Sequence, residues 1–398
     1  MDWHLITCEY TPRVGGVADH TRLVAEGLAA EGDRVCVWCP ADVGEMPTPS
    51  GGVTVCRELG RFRPSDLRRA GRALDRFAAP RRLLVQWVPH GYGYRSMNVW
   101  LCLWLWGRAR LCGDDLTIIV HEPFLAFGEG SRRQDAVALV HRLMTTVLLS
   151  ATRLVWTTIP KWEACWRPYT LGRRVPFGWL PVPSTTPVVA TAEEAAATRA
   201  LYAPAGVMLV GHFGTYGEVI AGTLRELLPR LLSNEEARCA VLLLGRGSEA
   251  MRAELLRTHP ELAGRIHATG TLPPEALSRH LAACDLLLQP YPDGVSTRRT
   301  SVMAGLAHGL AVVTTKGRLT ESLWQESGAV LLTDPGDVAG MARAVCELLS
   351  DAAKREGLGE LARATYRLHF DLPHLTAKLR EGHTESEPRE LGAAPTTV

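Results

Sequence analysis

The sequence lacks a strong charge of either sign. Its 398 residues include 44 Lys and Arg against 42 Asp and Glu, which gives a formal net charge of +2. A chain so close to neutral has no overall attraction to nucleic acid or to a membrane, so any recognition of phosphate must be local. We therefore expect no nucleic-acid partner.

Long apolar runs and paired cysteine motifs are also scarce. The N-terminal residues show neither the basic start nor the apolar stretch of a signal peptide. The longest Trp-rich apolar run, Val99 to Gly107, is too short to span a bilayer. It predicts a buried helix, with a membrane-surface contact helped by Arg108 and Arg110 as the alternative.

The ten cysteines lie mostly inside apolar runs, and the one close pair, Cys36 and Cys39, belongs to the strand-like run RVCVWCP. This usage favours buried thiols in a reducing compartment over a disulfide framework. We therefore expect a cytoplasmic protein. If the Trp-rich run contacts a membrane, we expect the protein to be peripheral at the inner membrane face. No acidic cluster has the spacing of metal ligands, so we expect neither a metal nor a cofactor.

Short apolar runs alternate with amphipathic stretches along the chain. Runs that are apolar throughout suit parallel strands buried on both faces, and repeated strand–helix units predict doubly wound α/β sheets. The predicted strands are WHLITCE, RVCVWC, LLVQWV, LTIIVH and RLVWTT, followed by VMLVGHF, AVLLLG, RIHATG, DLLLQP, LAVVTT and AVLLT.

A strandless stretch rich in Pro, Thr, Ala and Glu separates the two sets of strands. It predicts two Rossmann-like domains facing each other across a cleft, with the strand-end loops of both sheets lining that cleft. The predicted bounds are 1–183 for the first domain, 184–205 for a linker and 206–380 for the second domain. The last helix can cross back to the first domain, and residues 381–398 are polar enough to predict a disordered tail.

In the first domain, EYTPRVGGVADH follows the first strand and opens the first helix. Gly15 and Gly16 would let backbone amides approach an anion at the helix N-terminus, although tight strand–helix turns use such pairs too. His121 and Glu122 end a buried strand in IIVHEP. A histidine there is either a structural residue or a donor to a substrate hydroxyl or phosphate.

In the second domain, LVGHFGTYGE and LLLGRGSE each place glycines between a strand and a helix. Gly214 and Thr215 in the first stretch, and Gly245 and Arg246 in the second, are candidates for phosphate contacts. Tight packing of the turns and a solvated Arg246 are the structural alternatives.

The stretch PYPDGVSTRRTS places two adjacent arginines at the start of a predicted helix, with Ser296 or Thr297 as its N-cap. Basic side chains in a first helical turn oppose the helix dipole. A bound dianion would reverse this sign, since two guanidinium groups and a helix N-terminus can hold a diphosphate. Arg298 and Arg299 are therefore predicted phosphate ligands, and Ser296 and Thr297 beside them are predicted to contact the donor.

With these stretches in this order, the chain resembles family-four retaining glycosyltransferases of the GT-B architecture, over roughly residues 1 to 375. EYTPRVGGVADH is similar to the opening of the family's acceptor domain. LLLGRGSE, IHATGTLPPEALSRHLAACDLLLQP and LAHGLAVVTT follow the order of its donor domain. The resemblance implies the α/β GT-B fold and makes His121 the strand-end histidine that lies near the donor sugar.

The chain departs from the family at the Glu–X7–Glu element and at the Arg and Lys that follow the first donor-domain strand. Asp293 takes the place of the first Glu, and the second, which binds ribose, has no counterpart. Our hypothesis is that Arg298 and Arg299 supply the missing positive charge. Lys316 and Arg318 are further cationic candidates, and Glu321 corresponds to a Glu that contacts sugar or ribose.

The resemblance implies transfer of a sugar from a nucleoside-diphosphate sugar to an acceptor hydroxyl, with retention and without an enzymic nucleophile or a metal. The acceptor is unknown: a glycan, a lipid-linked molecule or a small molecule. Two alternatives are a non-catalytic nucleotide-sugar-binding partner and a nucleotide-sugar epimerase. His90, Tyr92 and Arg95, in the loop that precedes the Trp-rich run, are candidates for the acceptor site or for a packed loop.

Overall fold

The computed structural model describes residues 1–384, except residues 14, 42–51, 129 and 235–236. The strands form two separate sheets, and every strand pair within each sheet is parallel. The predicted α/β class with two parallel sheets is therefore confirmed.

The first sheet has seven strands in the order β3-β2-β1-β4-β5-β6-β7. Its strands are β1 (Asp2–Ile6), β2 (Arg34–Trp38), β3 (Val53–Cys56), β4 (Arg82–Trp87), β5 (Asp115–Val120), β6 (Leu154–Thr157) and β7 (Phe177–Trp179). The helices that connect them are α1 (Gly16–Ala30), α2 (Pro64–Leu74), α3 (Val99–Leu111), α4 (Arg132–Leu149) and α5 (Lys161–Trp166), with 3-10 turns at Pro89–Tyr92, Tyr94–Ser96 and Arg167–Thr170.

The second sheet has six strands in the order β10-β9-β8-β11-β12-β13. Its strands are β8 (Met208–Phe213), β9 (Cys239–Leu244), β10 (Ile266–Ala268), β11 (Leu286–Gln289), β12 (Ala311–Thr315) and β13 (Leu331–Thr333). The later helices are α6 (Ala192–Ala200), α7 (Glu218–Leu232), α8 (Ser248–Thr258), α9 (Pro274–Ala282), α10 (Thr300–His308), α11 (Ser322–Ser327), α12 (Val338–Ser350), α13 (Ala352–His369) and α14 (Leu372–Thr384), with a 3-10 turn at Pro260–Leu262.

Both sheets are covered by apolar side chains on both faces. In β4 and β5, for example, the last five residues of each strand are buried. Helices on either side explain why these segments are apolar throughout instead of alternating. In each sheet the strand order reverses beside the first strand in sequence, between β1 and β4 and between β8 and β11. Ligands of such sheets bind at these points, beyond the C-terminal strand ends.

The Trp-rich run forms α3, but only one face of this helix is buried. Leu101, Cys102 and Leu105 face the core, whereas Trp100 and Trp106 are 54% and 37% exposed. The prediction of a helix is thus confirmed, but the helix is buried on one face only. Among the described residues, no helix is both long enough and apolar enough to cross a membrane.

The two arginines that follow the Trp-rich run, Arg108 and Arg110, bind groups within the protein and not a membrane surface. Arg108 is buried and its Nε donates to Asp114 at 2.6 Å, while its Nη1 donates to Asp75 at 2.7 Å. Arg110 donates to the Ser150 carbonyl. Both side chains are therefore used to hold α3 in place.

The predicted linker is not wholly irregular, because α6 occupies Ala192–Ala200 and packs against α9. Arg199 of α6 forms an ion pair of 2.8 Å with Asp285, just before β11. The end of the chain also differs from the prediction: α14 continues to Thr384, past the expected start of the tail at residue 381. Residues 385–398 of that predicted tail lie outside the described residues.

Helix α14 leaves the second sheet and packs against α1, beside the first sheet. Its Leu375 and Leu379 are buried in a cluster with Trp3 and Leu28. Near its end, His383 Nδ1 lies 3.1 Å from Asp115, at the start of β5. The last helix therefore connects the second half of the chain to the core of the first.

We expect Leu379→Ala to lower the free energy of unfolding by about 2–5 kcal/mol, because it removes a fully buried side chain and leaves a cavity. Leu368→Ala is the control, since Leu368 is 64% exposed on the preceding helix. Urea unfolding measured by tryptophan fluorescence tests both. Equal effects of the two variants would show that α14 is not anchored as described.

Candidate functional site

The arginine pair lies on the loop that leads from β11 to α10, at the cleft side of the second sheet. Asp293 and Gly294 form a turn against the loop after β12, where the amide of Leu319 donates to the Asp293 carbonyl at 2.9 Å. Gly294 has φ of +87°, and a Cβ there would lie 2.3 Å from the nitrogen of Gly317. Only glycine permits this close approach, which fixes where the arginines emerge.

The two arginines differ in their partners. Arg299 pairs with Asp293, and its guanidinium lies 4.4 Å from the centre of the Tyr291 ring. Arg298 is held only loosely, with Nη1 3.6 Å from Glu122 and Nη2 4.0 Å from Asp293. In both, the buried Nε has no hydrogen-bond partner. The loop thus presents more donors than its carboxylates satisfy.

The ion pair with Arg299 changes the role expected for Asp293. One oxygen of this carboxylate binds Arg299 and positions it, so the contact with a donor sugar, which stays a prediction, would have to be made beside that ion pair. The helix also begins later than expected: α10 starts at Thr300 with Arg299 as its N-cap. The prediction of Ser296 or Thr297 as N-cap is therefore wrong.

Arg298 reaches across the cleft to the first domain. Its partner Glu122 follows β5, and its guanidinium lies 6.0 Å from the Trp162 ring of α5. Burial lowers the pKa of Arg298, and the neighbouring Arg299 adds to this effect. Cationic groups so close together are stabilised when an anion binds between them.

His121 is buried at the end of β5 and is paired with a residue that sequence analysis did not identify. Its Nε2 lies 2.7 Å from the Gln86 side-chain oxygen, and His20 Nδ1 lies 3.2 Å from the same atom. A carboxamide oxygen can accept from both rings. The amide nitrogen of Gln86 and Nε2 of His20 have no partner.

The surroundings of this trio keep both imidazoles neutral. Burial lowers the pKa of His20 to about 4, against the opposing effect of the hydrogen bond with Gln86. Burial also lowers the pKa of His121 well below its usual value, with further contributions from His20 and Arg298. A neutral His121 can donate or accept a hydrogen bond but does not carry a charge near neutral pH.

Thr297 does not line the cleft but joins the two domains. Its hydroxyl lies 2.7 Å from the Thr158 carbonyl after β6 and 2.7 Å from Glu321 Oε1, and its one proton serves one of them at a time. Its carbonyl accepts from the amide of Val182 at 3.0 Å, beyond β7. The predicted donor contact of this fully buried side chain is therefore wrong.

Glu321 and Ser296 flank this junction. Glu321 accepts from the Thr297 amide at 3.0 Å and from Trp324 Nε1 at 2.7 Å, so both of its oxygens are engaged. Burial raises the pKa of Glu321, while the hydrogen bonds from Thr297 oppose the rise. Ser296 is fully buried, and its hydroxyl has no partner. Both side chains lie where they support the arginine loop.

At the first helix, an internal carboxylate occupies the place predicted for a phosphate. Glu9 Oε1 accepts from the Ala18 amide at 3.2 Å, in the first turn of α1. A Cβ on Gly15 would lie 2.3 Å from the same oxygen, whereas one on Gly16 would meet nothing within 4 Å. An anion can bind at Gly15 only if Glu9 moves.

The glycine turns of the second sheet pack mainly against each other. The amide of Gly214 donates to the Leu244 carbonyl at 3.1 Å, so it is not free for a phosphate. A Cβ on Gly245 would lie 2.3 Å from the Gly214 oxygen. Tight packing thus explains both glycines, while Thr215 and Arg246 are exposed.

The remaining cation candidates lie on the loop after β12. Lys316 is exposed, and its amide donates to the Thr333 carbonyl at 2.8 Å. The carbonyl of Arg318 accepts from Lys161 Nζ of α5 at 3.0 Å, which is a second link between the domains. The positive charge of Arg318 also lowers the pKa of Arg298. This loop therefore adds to the positive potential around Arg298.

The acceptor candidates separate into buried and exposed side chains. Tyr92 is fully buried, and its hydroxyl donates to the Gln86 carbonyl at 2.5 Å, so the prediction that it lines an acceptor site is wrong. His90 Nδ1 lies 3.4 Å from Glu122, beside the cleft. Arg95 is exposed, with φ of +50°.

Among the residues that the structure describes, no group of three His, Cys, Asp or Glu side chains is arranged to hold a metal ion. The charges at the cleft are instead those of Arg298, Arg299 and Arg318, against Asp293 and Glu122. This arrangement can bind an anion with guanidinium groups.

Residues 205–351 match the family model described as Glycosyl transferases group 1. These residues include all six strands of the second sheet and the arginine loop. The resemblance to glycosyltransferases is thereby confirmed. No curated protein sequence matches the chain significantly.

Three solved structures share the whole architecture. Sucrose-phosphate synthase from Thermosynechococcus elongatus has a TM-score of 0.70 and 17% identity, covering 96% of this chain and 98% of its own. HepE of Anabaena in complex with UDP has a TM-score of 0.68 and 17% identity, covering 97% and 100%. WaaG, a glycosyltransferase involved in lipopolysaccharide biosynthesis, has a TM-score of 0.64 and 15% identity, covering 95% and 98%. The GT-B fold is confirmed.

We expect the free energy of unfolding to decrease between pH 7 and pH 5. Burial lowers the pKa of His20 and of His212 to about 4. Below pH 6.5 the unfolded chain binds protons at these residues while the native state does not, so stability is lost as the pH falls. Each histidine should contribute about 1–2 kcal/mol at pH 5.

Urea unfolding at pH 7, 6 and 5 measures this dependence. His212 Nδ1 donates to the Leu288 carbonyl at 2.7 Å, and His212→Asn keeps a donor there but cannot titrate, so it should remove the contribution of His212 and leave that of His20. Equal stability of the wild-type protein at pH 5 and pH 7 would contradict the assignment of buried, neutral histidines.

Proposed function

We propose that the protein transfers a sugar from a nucleoside-diphosphate sugar to an acceptor hydroxyl, with retention of configuration and without a metal ion. The observation that carries this proposal is the placement of Arg298 and Arg299 at the C-terminal end of β11, facing His121 across the cleft. The family match of residues 205–351 and the GT-B fold support it.

The arginines would bind the diphosphate and neutralise it as it leaves. Arg298 has only distant carboxylate partners, and both guanidinium groups have a buried Nε without a partner. A diphosphate oxygen would satisfy these donors with charge-assisted bonds. Since negative charge grows on the diphosphate during transfer, fixed cations there stabilise the transition state more than the ground state.

In the proposed reaction, the bond between the anomeric carbon and the diphosphate oxygen breaks, and its electron pair stays with the diphosphate. The acceptor oxygen forms the new bond to the anomeric carbon on the same face, and its proton passes to the departing phosphate oxygen. No enzymic nucleophile takes part, so the protein contributes placement and electrostatic stabilisation.

His121 would orient the donor sugar in its neutral form. Gln86 holds the ring through Nε2, which leaves the other ring nitrogen for a sugar hydroxyl. On the first-domain side, the carboxylate of Glu9 lies at the first turn of α1 and would repel a diphosphate there. Binding of a diphosphate at Gly15 and Gly16 would require this carboxylate to turn away, so the pair stays a secondary candidate.

UDP is the nucleotide that the comparisons favour, since HepE was solved with UDP, with UDP and glucose, and with UDP-glucose. A non-catalytic nucleotide-sugar-binding protein remains the second candidate. The observation in its favour is that Asp293 and Glu321, the two carboxylates expected at the sugar and ribose, are engaged within the protein. Turnover of a donor separates the two candidates.

We further propose a peripheral contact with an anionic membrane through α3, α4 and the loop between β5 and α4. Leu139 and Leu143 are 63% and 53% exposed on α4, which packs against α3, the helix that carries the exposed tryptophans. Arg132 and Arg133 are exposed at the start of α4. Exposed Trp and Leu next to arginines suit the boundary between lipid headgroups and acyl chains.

Arg298→Ala should weaken UDP binding by about 1.5–3 kcal/mol, which is roughly tenfold to more than 100-fold, because it removes a charged hydrogen bond in a desolvated site. Isothermal titration with UDP and GDP measures the effect. Arg343→Ala on α12 is the control, since that side chain is 75% exposed. If Arg298→Ala binds UDP as tightly as the wild type, the diphosphate site is misplaced.

Replacing Trp100 and Trp106 with Ser should abolish co-sedimentation with phosphatidylglycerol vesicles, because it removes the exposed aromatic surface of α3. Leu368→Ser, on an exposed part of the second domain, should co-sediment like the wild type. A wild-type protein that stays in solution with these vesicles, or a variant that still binds them, would refute the membrane contact.

A further inference from the structure

A cavity lies in the first domain, apart from the arginine loop of the second domain. It has a volume of about 560 Å³ and is lined by residues that follow β1, β2, β3 and β4. These are the C-terminal strand ends on both sides of the point where the strand order reverses, between β1 and β4. In an open parallel sheet this is the place where a ligand binds.

The lining of this cavity is basic. Arg13, Arg61 and Arg63 line it together with the apolar side chains of Cys8, Pro40 and Phe62, and among the residues that the structure describes, which here exclude 14 and 42–51, no Asp or Glu is part of the lining. The side chains of Arg61 and Arg63 are both exposed, so they give this concave surface a positive potential, which concentrates anions.

The acidic residues nearest in sequence to Arg61 and Arg63 are Glu58 and Asp66, and both bind neighbouring groups. Asp66 Oδ2 accepts from the amide of Arg61 at 2.9 Å and from that of Arg63 at 3.3 Å, and its other oxygen binds Arg69 at 3.1 Å. Glu58 also binds Arg69, at 3.1 Å. Their charges are therefore taken up by backbone amides and by Arg69, outside the cavity lining.

Two left-handed turns form the walls of the cavity. Phe62, between the two arginines, has φ of +57°, and Tyr94 to Ser96 have φ from +50° to +72°. Such conformations cost free energy in residues with a side chain, and they persist where the surrounding structure holds them. The buried Phe62 ring, 5.1 Å from that of Tyr92, provides this support.

The cavity adjoins the donor site through a short series of contacts. Gly91 lines it and is the neighbour of His90, whose ring lies 3.4 Å from Glu122. The other oxygen of Glu122 lies 3.6 Å from Arg298. A molecule in the cavity would thus lie beside the cleft in which we place the sugar donor.

From this basic cavity we infer that the acceptor carries an anionic group, a phosphate monoester or a carboxylate, which Arg61 and Arg63 bind while its hydroxyl reaches the donor. The identification of this anion as the acceptor rests on the proposed function. The binding of an anion in this cavity does not depend on that function. Guanidinium groups bind both phosphate and carboxylate in a bidentate manner, so the shared chemistry is that of an oxyanion.

Phosphate chemistry can come from a soluble metabolite or from a lipid headgroup. The size of the cavity and its position among the loops of one sheet suit a small soluble molecule. The exposed apolar surface of α3 and α4 leaves the lipid source to be tested. Experiments with glucose 6-phosphate, glucuronate and glucose, and separately with phosphatidylglycerol vesicles, distinguish these sources.

The test is isothermal titration of the full chain with each of the three sugars, in the presence and absence of UDP. The variant replaces Arg61 and Arg63 with Ser, and Arg68→Ser, an exposed arginine on α2 outside the cavity, is the control. We expect one of the charged sugars to bind the wild type and the control, with glucose much weaker, and the double variant to lose about tenfold or more in affinity.

Binding of UDP separates this inference from the proposed function. The double variant should bind UDP like the wild type, whereas Arg298→Ala should lose UDP but keep the charged sugar. If phosphatidylglycerol vesicles bind in a manner that depends on Arg61 and Arg63 and neither charged sugar binds, the anion is a lipid headgroup. Equal affinity of the wild type and the double variant for every anion, or no binding of any of them, overturns the inference.

Discussion

The junction at Thr297 holds the two sheets in the relation on which the cleft depends. A single, fully buried threonine next to the arginine pair contacts the Thr158 carbonyl, the Val182 amide and the partly buried Glu321. Burying so many polar groups costs free energy unless each one is paired, and here each has a partner. The arginine loop is thereby fixed relative to the strand ends of the first sheet.

The electrostatics of the cleft follow from this placement. Arg298 and Arg299 lie side by side with one close carboxylate, Asp293, between them, and the loop after β12 adds a third arginine. Across the cleft, His121 and His20 share the oxygen of Gln86 and are kept neutral by burial. The second domain thus supplies guanidinium groups to the cleft, and the first domain supplies neutral imidazoles together with the carboxylate of Glu122.

The internal strands could be predicted from the sequence, because strands buried on both faces must be apolar along their whole length. Two short strands, β3 (VTVC) and β7 (FGW), were missed. Both lie at the edges of the first sheet, where few residues pair and the pattern is too short to stand out. The sequence does not decide whether the last helix, α14, packs on the first or the second domain. Amphipathicity shows that a helix has a buried face but not which sheet covers that face.

For the site, the sequence by itself determined the positions of the chemistry-bearing residues along the chain: an arginine pair after one strand, a histidine at the end of another and glycines in the turns. The tertiary structure alone decided their partners. In the folded protein Asp293 pairs with Arg299, and His20 and Gln86 lie beside His121. Tyr92 is buried, and Thr297 contacts both domains. The physical reason is that spacing along the chain records local conformation, whereas pairing depends on which strand ends meet in space.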